Sequence, residues 1–102
     1  MTQKNPSPGI ALVTGAAKRI GRAIAYGLAQ AGWDVAIHYH RSNVDAESLQ
    51  EEILALGRRV ITLQADLSQV KEVEGMTQRC VEQLGAPTCL VNNASVFEFD
   101  EI

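Results

Sequence analysis

Ile10-Ala-Leu-Val-Thr-Gly-Ala-Ala-Lys-Arg-Ile-Gly21 is the stretch whose reading decides the fold. Ile10 to Thr14 is a short apolar run stopped by Gly15, the pattern of a strand buried on both faces. From Ile20 the period becomes helical: Ile20, Ala23, Ile24, Gly27, Leu28 and Ala31 recur at three- and four-residue steps and predict an inward stripe. Gly32 stands where such a helix stops. Between strand and helix, Gly15 lets the backbone turn sharply, and Gly21 lets the helix begin close to the sheet or to a ligand. The turn presents the free N–H groups and positive end of a helix, a setting that suits a pyrophosphate. A tight strand–helix turn with no ligand would use the same glycines. A nucleoside-triphosphate loop ends in Gly-Lys-[Ser/Thr], whereas Lys18 is followed by Arg19, so a simple kinase or ATPase is excluded.

Outward from that junction the alternation repeats. Val35-Ala-Ile-His-Tyr39 reads as a second strand. Ala46, Leu49, Ile53 and Leu56 form the inward stripe of a second helix, with acids on its outer face and Gly57 closing it. Val60-Ile-Thr-Leu63 is a third strand leading into Asp66. A third helix is predicted from about Gln69 to Leu84, with Val70, Val73, Cys80 and Leu84 facing inward and Ser68 as its N-cap. Cys89-Leu-Val91 is a fourth strand ending at Asn92-Asn93. The order βαβαβαβ predicts an α/β fold, a Rossmann-type doubly wound parallel sheet with strand order 3-2-1-4 and right-handed crossovers. Residues 1–9 read as a polar arm and residues 10–102 as a nucleotide-binding half-domain. A doubly wound domain normally continues past its fourth strand. The favoured expectation is therefore a piece of a larger enzyme, with a naturally short binding module as the alternative.

Composition removes several function classes. Nine Lys and Arg against 12 Asp and Glu give a net charge of −3 with no basic block, which argues against a nucleic-acid surface. Apolar residues at 46% and charged residues at 21% are ordinary for a soluble domain. No apolar run approaches the ~20 residues of a membrane span, and Met1 to Gly9 lacks the apolar stretch of a signal peptide. A cytoplasmic address is expected. Cys80 and Cys89 form no C-x-x-C pair and sit at apolar-patterned positions, so both read as small core residues. His38 and His40 share a strand at i, i+2, but no third ligand is nearby, and no metal site is expected.

The second strand's end selects the dinucleotide. An NAD enzyme needs an acid there for the ribose 2′-hydroxyl. The sequence instead has Tyr39-His-Arg-Ser-Asn43; Asp34 lies at the wrong end, and Asp45 belongs to the next helix. Arg41 and Ser42 offer a cation and a hydroxyl to a 2′-phosphate, with His40 beside them, so NADP(H) is the predicted cofactor. Asn92-Asn-Ala-Ser95 closes the fourth strand at the carboxyl edge, where open α/β sheets bind ligands, and small Ala94 lets a flat ring approach.

These residues resemble the short-chain dehydrogenase/reductase family, whose fingerprint is Thr-Gly-x-x-x-Gly-x-Gly. Thr14, Gly15 and Gly21 match it; Arg19 replaces the middle glycine. Lys18-Arg19-Ile20-Gly21, His38 to Ser42, and Asn92 to Phe97 are similar to pteridine reductases in particular. The resemblance implies a cofactor site of Gly15, Lys18, Arg19, Ile20, Gly21, Tyr39, His40, Arg41, Ser42, Asp66, Leu67, Asn93, Ala94 and Ser95, with Asp66 receiving the adenine amino group. It implies a substrate site of Arg19, Ser95 and Phe97, the ring of Phe97 stacking on a pterin; Phe99 is close enough to exchange roles with it. The reaction implied is hydride transfer from NADPH to a C=N bond of a pterin or dihydrofolate, and the full-length family members are often tetramers. The family's proton-donating tyrosine and its lysine four residues later have no counterpart in residues 1–102. Tyr26 sits inside a helix and Tyr39 on the cofactor strand, so no catalytic residue is assigned here. A 3-oxoacyl carrier-protein reductase and a non-catalytic NADP(H)-binding module are the competing expectations.

Overall fold

The computed structural model describes residues 7–94. The first six residues of the arm, and with them Ser95, Phe97 and Phe99, lie outside the described residues. Strand β1 spans Ile10–Val13, helix α1 Arg19–Gln30, β2 Asp34–Tyr39, α2 Asn43–Ala55, β3 Val60–Gln64, α3 Val70–Gln83 and β4 Cys89–Val91. The strands are parallel in the order β3-β2-β1-β4, as the alternation of periods predicts. Val13 pairs with Ile37 and with Val91, so β1 and β4 end level at the carboxyl edge while β2 runs two residues further, to Tyr39 beside Gln64 of β3.

The pleat sends alternate residues of β2 into two cores. Val35 and Ile37 join Val13, Ala25, Ala29, Leu49 and Ile53 beneath α1 and α2. Ala36 joins Leu12, Leu63, Met76, Cys80 and Leu84 beneath α3 on the opposite face. Among the described residues, no helix is long and apolar enough to cross a membrane.

Helix faces differ from the sequence reading in instructive ways. In α1 the buried line is Gly21, Ala25 and Ala29, with Ile24 and Leu28 packed along its margin. Ile20 is 70% exposed, and Ala23, Gly27 and Ala31 are exposed too. The helix lies close on β1 and β2, and only small side chains fit along the line of nearest approach; the larger ones flank it. Leu56 falls beyond the end of α2 and is exposed. In α3, Val70 is exposed in the first turn, while Met76, absent from the predicted stripe, is buried with Cys80. Ser68 is not the cap of α3. Gln69 holds that position without a side-chain cap bond, and the Ser68 hydroxyl donates to Asp66 Oδ1 at 2.7 Å. Cys80 is buried as expected, but Cys89 is only half-buried. It lies on β4, which among the described strands pairs with β1 alone and leaves Leu90 exposed.

This packing makes a direct test of which α3 residues hold the fold. Met76→Ala is expected to cost about 2–4 kcal/mol through the cavity it leaves, and Val70→Ala less than about 0.5 kcal/mol. Urea unfolding midpoints of the two variants check the contrast.

Candidate functional site

At the carboxyl edge of the sheet the chain leaves β1 and must turn within a few residues into α1. Gly15 makes the turn at φ +62°. A methyl group on it would press on Ala94 at 2.9 Å, and one on Gly21 would collide with the Gly15 carbonyl oxygen. Gly15 is thus required by its left-handed backbone and the nearby Ala94 side chain, and Gly21 by the Gly15 carbonyl. Arg19 also adopts a left-handed conformation, φ +56°, the only non-glycine residue to do so among those described. The loop keeps the shape of the fingerprint's middle glycine while carrying a guanidinium. Lys18 caps α1 with extended backbone and no side-chain bond, and no acid stands in the helix's first turn. The positive end of α1 therefore has no carboxylate of its own helix against it.

Thr14 holds the opposite wall. Its Oγ1 accepts the Asn93 amide at 2.9 Å and the Ala94 amide at 3.0 Å, and it donates to the Val91 carbonyl at 3.3 Å. Asn93 Nδ2 donates to the Gly15 carbonyl at 3.1 Å. The Asn92-Asn93-Ala94 turn is thereby fastened to the phosphate loop. In the sequence Thr14 is only a fingerprint match; in the structure its hydroxyl is the joint between the two turns.

His38 is buried under the same loop. The Gly15 amide donates to its Nδ1 at 2.9 Å, and its Nε2 lies 2.9 Å from the Ala65 carbonyl. Burial pushes its imidazole below the ordinary value of 6.5, against the opposing pull of the Ala65 bond, with His40 adding to the lowering. The possible His38–His40 metal pair dissolves, since His38 spends both nitrogens on backbone partners. Asp66 follows β3 and accepts both the Ser68 hydroxyl and, at 3.0 Å, the Ser68 amide. Those bonds, followed by the nearby positive charges of His40 and Arg41, hold its carboxyl below the usual range. His40 Nε2 stands 3.8 Å from Asp66 Oδ2.

These parts enclose a cleft of about 790 Å³. Gly15, Lys18, Arg19, Ile20, Tyr39, His40, Arg41, Ser42, Asp66, Leu67, Asn93 and Ala94 all line it. Of the remaining candidates, Gly21 sits behind the loop against Gly15, and Ser95 and Phe97 lie outside the described residues. Lys18, Arg19 and Arg41 face the cleft against a single lining carboxylate, Asp66, a balance that favours a polyanion. Lys18 is partly engaged by Asp45 at 3.7 Å. Ser42 precedes α2 without a side-chain cap bond, which leaves its hydroxyl for other partners. Asp34 is at the far edge of the sheet, where its Oδ1 accepts the Arg59 amide and its carboxylate pairs with Arg58 and Arg59.

Comparison with known proteins agrees with this geometry. The family model for short chain dehydrogenases matches residues 9–102. The chain belongs to the short-chain dehydrogenases. It is similar to an uncharacterised oxidoreductase of Methylorubrum extorquens, 43% identical over 91% of this chain and 38% of the relative. It is also similar to the 3-oxoacyl-[acyl-carrier-protein] reductase of Staphylococcus aureus, 44% identical over 84% of this chain and 35% of that protein. Among solved structures, a short chain dehydrogenase from Burkholderia cenocepacia in complex with NADP superposes with a TM-score of 0.84 at 41% identity, covering 94% of this chain and 40% of that one. The chain thus spans well under half the length of these relatives.

The loop geometry separates two substitutions. Gly21→Ala forces a methyl against the Gly15 carbonyl and is expected to destabilise by about 2–3 kcal/mol. Arg19→Gly removes the left-handed penalty on an exposed residue and is expected to stabilise by about 1 kcal/mol. Thermal unfolding of the two variants measures both signs.

Proposed function

We propose that this chain is the NADP(H)-binding amino-terminal part of a cytoplasmic short-chain reductase, with residues 1–9 a leading arm and residues 10–102 the cofactor half-domain. The observation that carries the cofactor assignment is the end of β2. Arg41 and Ser42 line the cleft there, and residues 39–44 carry no acid to take the ribose 2′-hydroxyl of NAD. The NADP named for the Burkholderia structure supports the same reading. The cradle fits a dinucleotide: Gly15 and Gly21 let the loop fold tightly against the Asn93-Ala94 turn, and the start of α1, which carries no acid in its first turn, lines the cleft.

For the substrate, we favour a pterin or dihydrofolate. Arg19 supports this: a guanidinium in place of a glycine, in a left-handed conformation, beside both the pyrophosphate path and the Asn93-Ala94 turn. When bound, NADPH supplies a hydride to the carbon of a C=N bond, and the nitrogen takes a proton from an acid outside residues 1–102. The residues of this chain orient the reactants. The helix end and Arg19 hold the diphosphate, Arg41 and Ser42 the 2′-phosphate, Asp66 and Leu67 the adenine, and Asn93 with Ala94 the wall beside the nicotinamide; Ser95 and Phe97, outside the described residues, are the further substrate contacts of this reading. On this reading the complete protein assembles as a homotetramer, and the 102-residue chain alone is inactive.

A second substrate class has its own support. The 44% identity to a 3-oxoacyl-[acyl-carrier-protein] reductase favours reduction of a ketone on an acyl thioester, with the same cofactor half. Loss of NADPH absorbance on adding dihydrofolate or a dihydropterin to the complete protein, but not on adding acetoacetyl thioester, is the result expected for a pteridine reductase; the reverse pattern overturns that assignment. For the cofactor, Arg41→Ala is expected to weaken NADPH binding at least about tenfold, the scale of a lost charge-assisted contact, and to leave NADH nearly unchanged. Titration of both nucleotides by fluorescence decides it, and equal wild-type affinities would refute the NADP(H) preference.

A further inference from the structure

We propose that His38 is a positioning residue of the cofactor site: its neutral imidazole ties the phosphate loop to the turn after β3, and cofactor affinity falls when this ring gains a proton. The inference rests on the NADP(H) reading and adds a residue that the sequence motifs do not assign.

The bonding leaves one protonation state. The Gly15 amide can only donate, so Nδ1 must present its lone pair; the Ala65 carbonyl can only accept, so Nε2 must carry the hydrogen. His38 is 2% exposed, and water cannot substitute readily for either partner. Protonation would set an Nδ1–H against the Gly15 N–H and leave two donors facing each other in a dry site. Gly15 and Ala65 both line the cleft, one on the pyrophosphate side and one next to Asp66 on the adenine side. A single ring therefore fixes the separation of two walls that must grip one ligand.

The ionisable groups around it are few. His40, on the same strand's end, opposes a second positive charge on His38. Asp66, in the turn after β3, is turned toward Ser68 and His40. Glu72 and Arg79 of α3 bond the Asp66 amide and the Gln64 carbonyl. Lys18 and Arg19 lie beyond Gly15 in the loop. None of these carboxylates pairs with the His38 ring. Because burial lowers its affinity for protons in the folded state, the unfolded chain binds more protons below 6.5. Stability and the ordered cleft are therefore fully kept above that value and decline as pH falls through the lowered one.

The test is the pH dependence of NADH binding to the complete protein from about pH 8 to about pH 5, the span over which histidines titrate. NADH has no 2′-phosphate to titrate in this range. His40→Asn serves as the background, which removes the exposed histidine of the cleft, and His38→Asn is added to it. The asparagine side chain keeps an acceptor for the Gly15 amide and cannot gain a proton. With His38 retained, the expected result is a steep loss of affinity at low pH. That loss is expected to be larger by roughly tenfold than in the double variant, on the scale of one buried hydrogen bond. Parallel profiles overturn the proposal. Nitrogen-15 NMR of the imidazole gives a second reading that needs neither cofactor nor variant. A hydrogen on Nε2 near neutral pH supports the proposal, and one on Nδ1, or an imidazolium, overturns it. Absence of NADH and NADPH binding at every pH sinks the cofactor reading, and the positioning role with it, whereas parallel profiles sink the role of His38 alone.

Discussion

A parallel sheet cannot satisfy every backbone donor at its carboxyl edge, because the strands end there and the chain must turn away. The amides of Gly15, Asn93 and Ala94 all lie at that edge, and side chains receive them, the Asn93 hydrogen being shared with the Val91 carbonyl. Thr14 Oγ1 takes two of these amides and His38 Nδ1 takes the third. Leaving any of these donors without a partner in a part-buried turn would cost about 1–3 kcal/mol. The shape of the cleft follows from that requirement. The loop before α1 and the turn after β4 stand at a fixed separation because one hydroxyl and one imidazole bond them to the sheet, and α1 then points its positive end across the space between.

The two edges of the sheet are electrostatic opposites. At the amino edge, Asp34 is buried and answered by Arg58 and Arg59, so charge there is neutralised within the protein. At the carboxyl edge, Lys18, Arg19 and Arg41 outnumber Asp66, whose carboxylate is already occupied by Ser68 and His40. A chain with a formal charge of −3 thus sets three cations against one lining carboxylate at this edge. The first arrangement serves stability, and the second gives the cleft a positive lining that suits an anion.

Element order and strand order were legible because the apolar period switches cleanly between strand and helix, as at Thr14 and Ile20. The glycine turn was legible because Gly15 and Gly21 have no substitutes at their positions. Helix faces were less legible. Residue size draws attention to Ile20 and Val70, whereas contact with the sheet selects Ala25, Ala29 and Met76. The role of His38 was nearly hidden. Its partners are the amide of residue 15 and the carbonyl of residue 65, and no local pattern joins positions so far apart. One faint signal was available: a histidine at an inward position of a buried strand, where apolar residues are the rule and a polar one needs partners.

Arg19 shows how conformation and chemistry can be weighed against each other. A left-handed backbone at a non-glycine residue costs about 1 kcal/mol or more, and the side chain that brings this cost is exposed and is not part of either core of the described fold. Packing does not explain the residue. Glycine would meet the backbone requirement with less strain, so the guanidinium must act on something other than this chain's own core. Arg19 lines the cleft, which is where such a partner would sit. A planar cation with a fixed fork of donors suits a phosphate or an electron-rich ring. On the proposed reading a bound ligand offsets that strain, and the left-handed arginine distinguishes this loop from one built of glycines alone.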